Sequence, residues 1–72
     1  MSNAILDFVE TNKDCKVLID YMQDCRIFCL TLYKGNYKNR KAVTKEIYEQ
    51  YGENALKEIL KHSLEEIKVV EE

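Results

Sequence analysis

The residues best suited to chemistry are five cations in one short stretch: Lys34, Lys38, Arg40, Lys41 and Lys45. No acid stands among them, and Tyr33 and Tyr37 lie beside and between them. The rest of the 72-residue chain holds six basic residues against thirteen acidic ones. A basic loop leading into a helix N-terminus suits phosphate, because free backbone N–H groups add to its positive charge. Tyrosines beside it can stack on bases. One reading of Tyr33, Lys34, Tyr37, Lys38, Arg40, Lys41 and Lys45 is therefore contact with nucleic acid or with an acidic protein surface. The other is a solvated loop, its charge balanced by acidic helices nearby.

Three cysteines and one histidine make the second set. Cys15, Cys25, Cys29 and His62 are four zinc ligands on paper only. Zinc sites favour a close pair of cysteines in a loop, whereas Cys25 and Cys29 sit among apolar residues at helical spacing. On a helix their Cβ atoms would lie about 5–6 Å apart, beyond the roughly 3.5–4.5 Å of a disulfide. Three buried thiols in a reducing compartment are expected instead. His62 falls on the polar edge of its helix, as a surface residue rather than a base. No glycine-rich phosphate loop, H-E-x-x-H or G-x-S-x-G motif occurs. A chain this small also has little room for a typical small-molecule pocket of ~300–1,000 Å³. The expectation is a protein that is not an enzyme, with no metal and no cofactor.

The elements that must position these residues read as helices. The stretch from Cys15 to Tyr33 is the centre. At a helical period, Cys15, Leu18, Ile19, Met22, Cys25, Cys29, Leu30 and Tyr33 share one face. Residues 27–33 carry no charge, so the end of such a helix would be buried on all sides. A short strand over 26–33 is the rival, since IFCLTLY is rich in strand formers. GNYKNRK looks a poor second strand, however, and on that reading the strand pairs with another copy of the chain. Before the centre, Ser2 or Asn3 caps a short helix with Ile5, Phe8 and Val9 inward. After it, Gly35 stops the central helix and a loop follows. Asn39 caps a helix from Arg40 to Tyr51, and Gly52 ends it. The last helix, from Ala55 to about Val70, buries Leu56, Ile59, Leu60, Leu64 and Ile67, with Ser63 among them.

The predicted fold is all-α: a single domain over 1–72, a small three- or four-helix bundle with a C-terminal helix-turn-helix-like pair. The alternative is α+β with a short strand near 26–33. The absence of proline and the two glycines suit a helical chain. The second helix of the C-terminal pair opens with Glu53, Asn54, Ala55, Leu56, Lys57 and Glu58, which repels phosphate as much as it attracts it. Sequence-specific DNA reading by this helix is therefore disfavoured. No basic-then-apolar leader and no run of ~20 apolar residues occurs, which points to the cytoplasm and away from the membrane. A domain of this size is only marginally stable alone, which favours a partner subunit. The function expected is a protein-interaction module that regulates or inhibits another protein and also self-associates as a homo-oligomer. The alternative is a nucleic-acid-associated accessory protein using the basic segment 34–45.

Overall fold

The computed structural model describes residues 4–71. In chain order it contains helix α1 (Ala4–Thr11), strands β1 (Cys15–Met22), β2 (Ile27–Lys34) and β3 (Tyr37–Thr44), and helices α2 (Lys45–Tyr51) and α3 (Glu53–Glu71). The strands form one antiparallel sheet in the order β1-β2-β3. The fold is α+β, so the all-α bundle is overturned. The caps expected at Ser2 or Asn3 lie outside the described residues.

The proposed central helix is two strands joined by the turn Gln23–Arg26. Its apolar residues do repeat at three and four, but they also fill both faces of strands, and strands won. Polar Gln23, Asp24 and Arg26 break the run. Arg26 takes a positive φ of 54°, and its carbonyl accepts from Lys45 N–H at 2.9 Å. That bond ties the β1–β2 turn to the end of β3. The neighbours of β2 are within the chain on both sides, so the expectation that a strand here pairs with another copy is also overturned.

GNYKNRK, expected to make a poor second strand, instead supplies the second hairpin. Lys34 pairs with Tyr37 across a two-residue turn. Gly35 takes φ 60° there, the left-handed conformation that the first position of a type II′ hairpin turn requires. Tyr37 to Thr44 is strand β3, so the helix expected from Arg40, with Asn39 as its cap, begins only at Lys45. Its cap is Thr44, whose Oγ1 accepts from Ile47 N–H at 3.3 Å. Gly52 ends α2 at φ 68° and donates to the Tyr48 carbonyl at 2.7 Å.

All three helices lie on one face of the sheet. On α3, Leu56, Leu60, Leu64 and Ile67 repeat at four, four and three and form a buried stripe. They meet Leu30 and Leu32 from the middle strand, Val43 from β3, Cys15 from β1 and Phe8 from α1. At one end, Tyr21, Phe28 and Tyr48 stack in a row, with ring centroids 4.7 Å apart at each step.

Two outcomes are expected from this packing. Leu60 is fully buried, so Leu60→Ala should cost about 2–5 kcal/mol, read by urea unfolding; an unchanged midpoint would place Leu60 outside the core. Cys25 is exposed in the turn and Cys15 is buried. Iodoacetamide should therefore label Cys25 quickly and Cys15 slowly in the folded state, and mass spectrometry of the digested protein reads the order.

Candidate functional site

The sheet has two unlike faces, and strand alternation assigns each residue to one of them. Asn39, Lys41 and Val43 of β3 point toward the helices. Lys38, Arg40 and Ala42 therefore point the other way. The register carries this division across the sheet. On the outer face, Lys16, Tyr33 and Lys38 form one row. Leu18, Thr31 and Arg40 form the next, then Asp20, Cys29 and Ala42, and finally Met22, Ile27 and Thr44. One end of this face is basic with a tyrosine at its centre. The other end is apolar. Contact between Cys29 Sγ and Met22 Sδ at 3.4 Å joins two of the apolar residues diagonally.

No helix among the described residues covers this face. Leu18 and Met22 stay 44% and 48% exposed, while Ile27, Cys29 and Tyr33 are half-buried by their neighbours alone. The outer face carries three cations and one acid on a chain whose net charge is −2.

The seven residues singled out from sequence are split by the fold. The segment 34–45 is not a loop but the last residue of β2, a turn, strand β3 and the first residue of α2. Tyr33, Lys38 and Arg40 share the outer face. Lys38 and Arg40 enter no side-chain ion pair or hydrogen bond with other described residues. The remaining four are directed elsewhere. Lys34 and Tyr37 close the second hairpin on the helix side, and Lys34 Nζ lies 3.9 Å from Asp14. Lys45 begins α2 and pairs with Glu49 at 3.5 Å. Lys41 is bound to α3.

The Lys41 contact is part of a polar clasp between β3 and α3. Glu66 accepts from Lys41 Nζ at 2.8 Å through one oxygen and from Asn39 Nδ2 at 2.9 Å through the other. The Ser63 hydroxyl donates to Asn39 Oδ1. Ser63 is nearly fully buried, so its hydroxyl needs that partner. The bonds from Lys41 and Asn39, reinforced by the lysine charge, hold the Glu66 carboxyl below its ordinary pKa.

The residues weighed as metal ligands are dispersed. Cys15 lies in the core, where burial and the neighbouring Asp14 push its thiol pKa up. Cys25 is in the turn, Cys29 on the outer face, and His62 exposed on α3. Among the described residues, no three metal-binding side chains converge.

Sequence reasoning missed Lys16, Leu18, Met22, Ile27 and Ala42 as partners of Tyr33, Lys38 and Arg40. The available signal was alternation in 37–44, where Lys38 and Arg40 share one parity. Lys41 at the other parity masked it. No helix among the described residues is long and apolar enough to cross a membrane. No protein-family model matches the chain, and neither does any curated protein or solved structure.

The clasp gives a pH dependence with a definite sign. The folded pKa of Glu66 lies below the ordinary value of a glutamate carboxyl. Its contribution is therefore present above that value and lost as pH falls through the lowered folded pKa. Glu66→Gln should melt below the wild type at neutral pH, and the gap should close as the solution is acidified. Melting curves across pH test this; a gap that stays constant into acid would remove the carboxylate from the account.

Proposed function

We propose that this protein is a small non-enzymatic interaction module that docks another protein on the open face of its sheet. The observation that carries this reading is the apolar end of that face. Leu18, Met22, Ile27 and Cys29 stand on a regular sheet surface that no element among the described residues covers, and such patches mark interaction sites. The basic end fits a partner whose apolar patch is bordered by acids. Lys16, Lys38 and Arg40 would steer its approach and fix its orientation, while the apolar contacts would supply most of the affinity.

A second reading rests on its own observation. Tyr33 lies between Lys16 and Lys38, and Lys38 and Arg40 are not engaged by side-chain bonds among the described residues. An aromatic platform flanked by cations on an open sheet suits single-stranded nucleic acid.

Affinity capture from host lysate, with and without nuclease, separates the two. On the first reading a defined protein survives nuclease and moderate salt, and Met22→Glu with Ala42→Glu abolishes its capture. On the second, capture disappears on nuclease treatment, falls steeply with salt, and is lost in Lys38→Glu with Arg40→Glu. Circular dichroism should be unchanged in both double variants, because all four side chains are exposed.

A further inference from the structure

The two edges of the sheet are built differently. The β3 edge carries Lys38, Arg40 and Lys41 within four residues. A second β3 laid beside it would bring like charges together, a common defence against unwanted pairing. The β1 edge has no such defence. It is eight residues long, without proline, and holds one cation and one anion, Lys16 and Asp20. Leu18 and Met22 on its outer side and Ile19 and Tyr21 on its helix side are all 39–48% exposed. A strand with exposed apolar residues on both faces is nearer in composition to a sheet interior than to a protected edge. Among the described residues, the only backbone bond from β1 outside its ladder with β2 runs from Cys15 N–H to the Asn12 carbonyl. The rest of the outer edge is open for pairing.

We propose that two copies of the chain pair antiparallel along β1, with Leu18 facing Leu18 on the two-fold axis. The charges select this register. A two-fold antiparallel pair sets one residue opposite itself and the others symmetrically around it. With Leu18 on the axis, Lys16 of each copy faces Asp20 of the other, and Val17 faces Ile19. The strand's one cation thus meets its one anion twice, on the outer face. Moving the axis to Ile19 sets Lys16 against Met22 and Asp20 against Leu18. Moving it to Val17 sets Asp20 against Asp14. Of these three, only the Leu18 register pairs opposite charges and sets apolar Val17 against Ile19; its one mismatch, Met22 against Asp14, falls where Asp14 lies outside the strand. The product is a continuous six-stranded sheet in the order β3-β2-β1-β1-β2-β3, with both β1 edges removed and a highly charged β3 at each end. The inference concerns the edge of β1 and does not rest on what docks to the open face.

A charge swap tests it. Lys16→Asp sets Asp against Asp twice, and Asp20→Lys sets Lys against Lys twice. Opposed like charges destabilise a pair directly across strands, so each single variant should weaken dimerisation roughly tenfold. The double variant Lys16→Asp with Asp20→Lys recreates both pairs and should restore the wild-type dissociation constant. Sedimentation equilibrium reads the constants, and circular dichroism confirms that each variant folds. Added salt should narrow the single-variant deficits.

The register has an independent check. In a Cys25→Ser, Cys29→Ser background, Leu18→Cys should form a covalent dimer on mild oxidation, because facing residues have Cα atoms about 4.5–5.5 Å apart. Asp20→Cys should not, since its two copies lie four residue steps apart, about 13 Å. A chain that stays monomeric at every concentration accessible to sedimentation overturns the proposal. So does a double variant no better than the singles, or cross-linking through position 20 in place of 18.

Discussion

The seating of α3 across β2 and β3 is the contact from which the rest of the structure follows. Leu30 and Leu32 occupy the centre of the middle strand, and both are almost fully buried. Leu60, Leu64 and Ile67 close over them from one stripe of the helix. Such a seam fixes an element's position along one direction but allows it to slide. The clasp of Ser63, Glu66, Asn39 and Lys41 resists sliding, because its bonds have defined lengths and directions. Ser63 is also small enough for the Asn39 side chain to reach the helix within the buried stripe. With α3 fixed on this side, α1 and α2 pack beside it on the same side. The opposite face is left to solvent, and β1 is left as an edge.

The part of the fold legible in sequence was the part that local spacing determines. In α3, the apolar stripe from Leu56 to Ile67 has no competing strand pattern, and Gly52 marks its start. The sheet was illegible for a specific reason. β1 is apolar on both faces, so Cys15, Leu18, Ile19 and Met22 match a helical period as well as an alternating one. In β3 the inward positions include Asn39 and Lys41, which look like surface residues. They are tolerated there because Glu66 satisfies them from 27 and 25 residues away. That information is non-local and no window of sequence contains it. The same holds for the candidate site. The cluster of cations was visible, but its division between two faces depends on the strand, and so does the contribution of Lys16 from a different strand.

This division changes what the cations are for. In sequence, five positive charges between Lys34 and Lys45 suggest one patch. In the fold, Lys34, Lys41 and Lys45 lie beside Asp14, Glu66 and Glu49, and their charge is largely balanced inside the molecule. The reading of the stretch as solvated charge countered by nearby acids describes these three. It does not describe Lys38 and Arg40, whose side chains project from the other face. A binding role for the stretch therefore reduces to Lys38 and Arg40, joined by Lys16 and Tyr33. Such a set is small for electrostatics alone, since each exposed cation contributes little in water. Any ligand of this face must also use the apolar rows beside them.

Pairing at β1 and docking on the open face place connected demands on the same strand. In the Leu18 register, Lys16 and Asp20 neutralise each other across the two-fold axis. The uncompensated charge of the outer face then contracts to Lys38 and Arg40, one pair on each outer strand. Between them the Leu18 pair sits at the centre, flanked along the strands by the two Lys16–Asp20 pairs, and Met22 and Ile27 of each copy lie beyond Asp20 at opposite ends. A monomer presents a three-stranded face graded from basic to apolar. The dimer presents a wider one, in which the basic end of each copy lies beside the apolar end of the other, with the Leu18 pair on the axis. A partner matched to that surface would itself be two-fold symmetric, or long enough to cross the axis. A ligand confined to one basic end would not distinguish the dimer from the monomer. Linkage gives this geometry a thermodynamic consequence: a partner that spans the axis must tighten the dimer by the same factor by which dimerisation tightens its binding.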